Sequence, residues 1–232
     1  MALTLYHCAE TRSMRSLWLL EELGIPFDLV TMPFDHTQLR TPEYRKIHPL
    51  GRVPALVDGD MTLFESGAIA EYLCERYDPA HRLGRPMGHP DRYAFLQWIH
   101  FAETVIIPCQ NMVQQYVFTP PEARAEMVLY FETRRLGKCL DAIEKVLGEK
   151  VLGEREYLLP SGFSAGDVGV GFSVYFARAF VSFAGHPRVR AYHDRLFARP
   201  AFQKSLPPDR APLEWFIPKL GPVRDPNTGQ PI

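Results

Sequence analysis

Arg52-Val53-Pro54-Ala55-Leu56-Val57, Asp58-Gly59-Asp60, Met61-Thr62-Leu63-Phe64 and Glu65-Ser66-Gly67-Ala68-Ile69 follow one another without a gap. A proline enters an apolar run, a turn tripeptide interrupts it, and a second short apolar run follows. Val53 to Val57 and Met61 to Phe64 therefore predict a hairpin around Asp-Gly-Asp. Glu65-Ser66 then opens a helix predicted to reach Tyr77. Strand, turn, strand and helix make half of a small sheet domain, and the other half should lie upstream.

It does. Leu3 to His7 alternates in the manner of a strand. Ser13 to Leu23 carries Met14, Leu17, Trp18, Leu20 and Leu23 at helical spacing, and Gly24 with Pro26 supplies the stop. Phe27 to Met32 reads as a second strand, so the crossover is expected to be right-handed and the pair parallel. Thr41 to Lys46 predicts a short helix with Pro42 at its first position. The order βαβαββα is the thioredoxin-like plan.

Asp78 to Pro90 is punctuated by Pro79, Gly84, Pro86, Gly88 and Pro90, a linker composition. Beyond it the chain reads as helix throughout. The expected division is an α/β domain over 1–79, a linker over 80–88, an all-helical domain over 89–206 and a tail over 207–232. Asp91 to Val117 predicts a long helix that Pro108 should kink or break. Pro121 to Leu147 predicts a second. Ser164-Ala165-Gly166-Asp167 reads as a capping box with Asp in place of Glu. The run Val168 to Phe183 is apolar nearly all round and predicts a buried central helix. Pro187 to Ala198 predicts another, stopped by Pro200. The last 26 residues hold seven prolines and cannot form regular helix. Trp215 and Phe216 among them suggest a tail folded over the cleft between the two halves.

The bulk numbers exclude several functions. With 26 basic and 27 acidic residues and a net charge of −1, no global field recruits nucleic acid or an anionic membrane. No apolar run is long enough to span a membrane. No secretion signal is read at the start, so the expected location is cytoplasmic. Cys8, Cys74, Cys109 and Cys139 form no CxxC pair and sit beside no histidine at ligand spacing, so neither a metal site nor a disulfide is expected.

His7-Cys8-Ala9-Glu10-Thr11-Arg12-Ser13-Met14-Arg15, Lys46-Ile47-His48-Pro49-Leu50-Gly51-Arg52 and the hairpin with Glu65-Ser66 together resemble the cytosolic glutathione transferases, over about Leu3 to Leu206. The first segment resembles the subgroup with an S-R-S-x-R pattern, with Thr11 at the first serine, four residues before Arg15 as in the theta-like classes. Tyr6 belongs to the strand and does not match the tyrosine of the tyrosine-type classes.

The resemblance implies that glutathione is the co-substrate and that a cis Val53–Pro54 bond presents the Val53 backbone to its cysteinyl amides, in the manner of an added strand. Ser66 at a helix N-terminus would hold the γ-glutamyl carboxylate, and Glu65 would face the amine. Arg52 could pair with the glycine carboxylate. For both Glu65-Ser66 and the Thr11/Ser13 pair, helix capping is the competing role. Thr11 is the first candidate for the hydroxyl that activates the thiol, and Ser13 the second. His48 is read as structural.

The implied reaction is attack of the glutathione thiolate on a small, apolar electrophile, as in detoxification. Tyr93, Phe101, Tyr116 and Phe118 are candidates to line that second site. The implied assembly is a homodimer, paired across the third and fourth helices. Two other functions stay open: a glutathione-dependent disulfide reductase or peroxidase using bound glutathione or Cys8, and a non-catalytic glutathione-binding or interaction module.

Overall fold

A computed structural model of the chain describes residues 3–149 and 155–207. The proline-rich tail, with Trp215 and Phe216, lies outside the described residues. The first half is a four-stranded mixed sheet in the order β2-β1-β3-β4, formed by β1 (Thr4–His7), β2 (Asp28–Thr31), β3 (Ala55–Asp58) and β4 (Met61–Phe64). β1 runs parallel to β2, with Leu5 opposite Leu29, and antiparallel to β3, with Leu5 opposite Leu56. Leu5 and Leu56 are fully buried, which pins this register, because a slip of one residue would turn both to the other face. β2 is the exposed edge.

Three helical stretches and a closing helix complete the unit: α1 (Ser13–Leu23), α2 (His36–Leu39), α3 (Pro42–Arg45) and α4 (Ser66–Tyr77). α1 ends as its sequence predicts, at Gly24 in the left-handed region, whose N–H meets Leu20 O at 3.0 Å. α3 begins on a Thr41 cap that accepts from Tyr44 N, with Pro42 in the first turn. The layout is the expected thioredoxin-like one.

The second half is helical: α5 (Arg92–Val113), α6 (Glu126–Leu147), α7 (Ala165–Ala177), α8 (Pro187–Phe197) and α9 (Pro200–Ser205). α5 does not break at Pro108. The missing N–H leaves the Thr104 carbonyl without its helical donor, and Cys139 Sγ from α6 approaches that oxygen at 3.8 Å. α5 continues as a π-helical segment over Gln114–Phe118. α6 starts at Glu126, later than Pro121. The preceding stretch is held otherwise, with Arg124 donating to the carbonyls of Gln115, Tyr116 and Thr119. α7 ends at Ala177, short of Phe183, in tight turns in which Phe180 N meets Ala177 O at 2.9 Å. Pro200 opens α9 as well as closing the turn after α8.

α7 is buried along its whole length, as its all-round apolar sequence requires. It lies between α5 and α1. Gly171 permits the close approach of α8 and α1, since a Cβ there would overlap Leu196 Cδ1 of α8 and press on the Trp18 ring of α1. Trp18 is fully buried, packs edge-on against Phe202 at 4.7 Å, and donates its N–H to Glu22 at 2.9 Å. Glu22 in turn holds Arg199 at 2.6 and 2.8 Å. One continuous core thus joins the two halves.

Candidate active site

A cleft of about 510 Å³ opens where the end of the sheet faces the helical half. One wall comes from the loop before α1 (Glu10, Thr11, Arg12) and the segments around α2 and β3 (Phe34, Leu39, Arg40, and Leu50 to Val53). The other comes from Ile106, Gln110 and Val113 of α5, Gln114 and Phe118 of the π-helical segment, and Phe172 and Phe176 of α7. Phe34 stacks on Phe118 at 6.4 Å across the mouth. The lining is mostly apolar with a few polar groups, the usual make-up of a small-molecule site.

The Val53–Pro54 peptide is cis, and Val53 lines the cleft while Pro54 is buried behind it. Gly51 holds the approach with φ +59°, and a Cβ there would overlap the Leu39 carbonyl, so only glycine fits this turn. The Arg52 carbonyl accepts from Tyr44 OH at 2.7 Å, which fixes the loop while the Arg52 side chain stays exposed in the lining. His48 is buried against Phe64 and accepts the Leu50 N–H at 3.2 Å. Burial moves its pKa down, and its work is to shape this loop.

Thr11 and Ser13 part company. Thr11 lines the cleft; Ser13 is fully buried beneath it. Their hydroxyl oxygens are 2.8 Å apart, and both meet the Cys8 carbonyl, Thr11 at 2.7 Å and Ser13 at 3.0 Å. Ser13 Oγ also accepts Cys8 N–H at 3.0 Å and contacts His7 Nδ1 at 2.8 Å. Burial drives the His7 pKa down to about 4, so the ring is neutral at physiological pH. Thr11 Oγ1 also accepts the Ser13 N–H at 3.3 Å, one of the first free donors of α1. Cys8 is buried at 2% exposure, and burial pushes its thiol up to about 11.

Glu65 and Ser66 lie outside the cleft lining. Neither side chain caps α4. Glu65 is exposed in a left-handed conformation with φ +73°. Ser66 is buried and accepts from Arg15 at 3.0 Å. Arg15 is a buried hub: it also donates to the Ala102 carbonyl at 2.9 Å and to Ser173 at 2.8 Å, and pairs with Glu103. Arg12 meets the same carboxylate at 2.9 Å. Burial raises the Glu103 pKa, but the two guanidinium groups outweigh it and hold the carboxyl below its ordinary range.

Of the four aromatics expected around a second site, only Phe118 reaches the cleft. Tyr93 is exposed, Phe101 packs on Trp98 at 5.2 Å, and Tyr116 lies under Arg124. Phe34, Phe172 and Phe176 take their place. Arg40 and Glu10 are polar groups of the lining that sequence reading passed over. Nothing local marks them, because their positions depend on how α2 and α7 pack.

Residues 1–75 match a family model described as glutathione S-transferase, N-terminal domain. Glutathione S-transferase 4 of Zea mays is 31% identical over 198 residues, covering 82% of this chain and 85% of that protein. Glutathione S-transferase 1 of Schizosaccharomyces pombe is 28% identical over 202 residues, covering 78% and 85%. Among solved structures, a glutathione transferase of Phanerochaete chrysosporium in complex with oxidized glutathione superposes with a TM-score of 0.80 at 25% identity, over 91% of this chain and 97% of that one.

Proposed function

The chain belongs to the glutathione S-transferase family, and from that premise we propose that it activates glutathione through Thr11 for attack on a small apolar electrophile in the cleft. Val53, Arg52, Glu65 and Ser66 are the proposed contacts to the tripeptide. Pro54 sets the Val53 backbone for it. Arg40 joins Arg52 as a cation for the glycine carboxylate. The observation that carries the reading is that Thr11 is a cleft-lining hydroxyl at the start of α1.

A free thiol with pKa near about 8.5 is mostly protonated at pH 7. Lowering it by about two units takes roughly 2.7 kcal/mol of preference for the thiolate. A hydrogen bond to a charged group contributes about 1.5–3 kcal/mol, and a helix N-terminus about 0.3–1. The two suffice together. The Thr11 proton can turn to the sulfur without orphaning the Cys8 carbonyl, because Ser13 Oγ lies 3.0 Å from that oxygen and can replace Thr11 as its donor. Ser13 still accepts from Cys8 N–H, and from His7 when the ring proton sits on Nδ1. In this reading Ser13 and His7 hold Thr11 in place, and Thr11 touches the thiol.

The burial and raised pKa of Cys8 speak against a nucleophilic thiol of the protein's own. A redox role would have to run on bound glutathione. A homodimer paired across the third and fourth helices stays the proposed assembly, and exposed Met127, Val128 and Phe131 on α6 offer a further apolar face for it.

Titrating the protein with glutathione at neutral pH and following the thiolate absorbance tests the assignment. Thr11→Ala is expected to lower the thiolate fraction about tenfold or more, while Cys8→Ser keeps it. An unchanged band in Thr11→Ala, with glutathione still bound, would overturn the role given to Thr11.

A further inference from the structure

Thr11 is flanked by two residues that each reach across to the helical half. Glu10, before it, has a left-handed backbone at φ +55°, which few residues other than glycine adopt. Its Oε1 accepts a hydrogen bond from Tyr175 OH, in the last turn of α7, at 3.0 Å and over a separation of 165 positions. Arg12, after it, donates from Nε to both carboxylate oxygens of Glu103 on α5, at 3.1 and 2.9 Å and over 91 positions. Glu10, Thr11 and Arg12 all line the cleft.

Both anchors are fixed on their own side. Tyr175 is buried, with its ring edge-on to Phe202 at 5.3 Å and the Arg178 guanidinium over its face at 4.5 Å. Glu103 is paired with buried Arg15 as well as with Arg12. The bonds of Thr11 itself are local, to the Cys8 carbonyl and the Ser13 N–H and hydroxyl. They orient the hydroxyl within the loop and leave open where the loop stands against the opposite wall. A residue other than glycine keeps a left-handed backbone where its surroundings hold it, and the Tyr175 hydroxyl is the hydrogen-bond partner that holds the Glu10 side chain.

We propose that Glu10 and Arg12 are positioning residues: anchored on α7 and α5, they set the loop against the helical wall of the cleft so that the Thr11 hydroxyl meets the glutathione sulfur. The proposal rests on the transferase reading above. The tripeptide contacts proposed there all lie in the first half, so the helical half governs ionisation of the thiol without holding glutathione. Placement matters because a hydrogen bond weakens steeply once its length and angle leave their narrow range.

Tyr175→Phe separates placement from charge. The bond it removes lowers the Glu10 pKa, so its loss leaves less negative charge beside Thr11, which alone would favour the thiolate. A displaced Thr11 hydroxyl disfavours it. The two causes therefore have opposite signs.

The experiment measures the thiolate absorbance of bound glutathione from about pH 5 to about pH 9, together with glutathione affinity, in the wild type, Tyr175→Phe, Arg12→Met and Arg12→Lys. Tyr175→Phe and Arg12→Met are each expected to raise the thiol pKa by about half a unit, a threefold loss in its ionisation constant. Arg12→Lys keeps an ion pair with Glu103 and should restore most of that loss. Added to Thr11→Ala, neither Tyr175→Phe nor Arg12→Met should shift the thiol further, because both act through that hydroxyl. Affinity at neutral pH should change no more than about threefold, the most that linkage to such a shift permits. An unmoved or lowered thiol pKa in Tyr175→Phe overturns the positioning role and leaves the transferase reading standing, as does an equal shift in the Thr11→Ala background. A larger loss of affinity in Tyr175→Phe would put its effect on binding and overturn the role as well. A wild-type complex with no thiolate band overturns the transferase reading, and the positioning role with it.

Discussion

Two carboxyls are buried at opposite ends of α7, and they are answered differently. Asp167, in the first turn, is fully buried and accepts four hydrogen bonds: Leu158 N at 2.9 Å and Tyr192 OH at 3.0 Å on Oδ1, Ser164 N at 2.9 Å and Ser164 Oγ at 3.1 Å on Oδ2. Glu10, against Tyr175 in the last turn, accepts one on Oε1 and, among the described residues, none on Oε2. Burial moves both pKa values the same way, to about 6 and about 7. The shift by itself therefore does not tell a satisfied carboxyl from an unsatisfied one. The number of donors does. A carboxylate with every lone pair engaged is a fastening; one with a buried oxygen left unpaired is a cost that the fold carries.

The largest effect should come from replacing Asp167 by its neutral isostere. Asp167→Asn puts an amide NH₂ where Oδ2 now accepts the Ser164 N–H and O–H. The hydroxyl can turn away; the backbone N–H cannot. Relief of a buried charge offsets only part of this. The expected cost is about 2–4 kcal/mol, read as a lower midpoint in urea unfolding with glutathione affinity retained. A change below about 1 kcal/mol would mean that the four bonds do not fasten the helix, and the contrast would break.

Sequence made the fastening visible and hid the second carboxyl. Ser164 and Asp167 stand three apart before an apolar run, so the capping box can be read from spacing alone, and the bonds that Ser164 donates to Asp167 are local. The hairpin and α4 were legible for the same reason: each depends on a turn or a stop a few residues away. Glu10 gains its meaning from Tyr175, 165 positions along the chain. Thr11 and Ser13 were both readable as candidates, since two hydroxyls near a helix start look alike in sequence. Only the packing of α1 puts one in the cleft and the other beneath it. Pro108 misled for a related reason, because the carbonyl it strands finds a partner on α6.

A paired deletion of single hydroxyls sharpens the contrast. Tyr192→Phe removes one of four donors to Asp167 in a fully buried place and should cost about 1–2 kcal/mol. Tyr175→Phe removes the donor to Glu10. Because that bond lowers the Glu10 pKa, its loss raises it, and the carboxyl stays protonated to higher pH. The stability cost should be smaller, about 0.5–1 kcal/mol. Denaturant titration of both variants decides it. Equal costs would make Glu10 a second fastening.

The smallest effect is the most diagnostic, because its sign differs from the first. The folded-state pKa of Glu10, about 7, stands above its ordinary value of 4.5. Below pH 4.5 the carboxyl is protonated in both folded and unfolded chains and contributes no difference. Between 4.5 and 7 the unfolded chain gives up its proton while the folded chain holds it, so stability falls as pH rises, and it levels off above 7. Solvent reaching the cleft screens part of this, which leaves about 1 kcal/mol. Glu10→Gln keeps an oxygen for the Tyr175 hydroxyl and removes the charge. It should match the wild type near the lower pH and exceed it by about 1 kcal/mol near pH 8. Thermal unfolding across that range measures it. Asp167→Asn, over its own window from 3.8 to about 6, should stay below the wild type throughout. An isosteric amide that stabilises one end of α7 and loosens the other is what an unpaired buried carboxyl and a structural cap would each produce. A Glu10→Gln protein less stable at pH 8 would instead show that the spare oxygen is needed for folding.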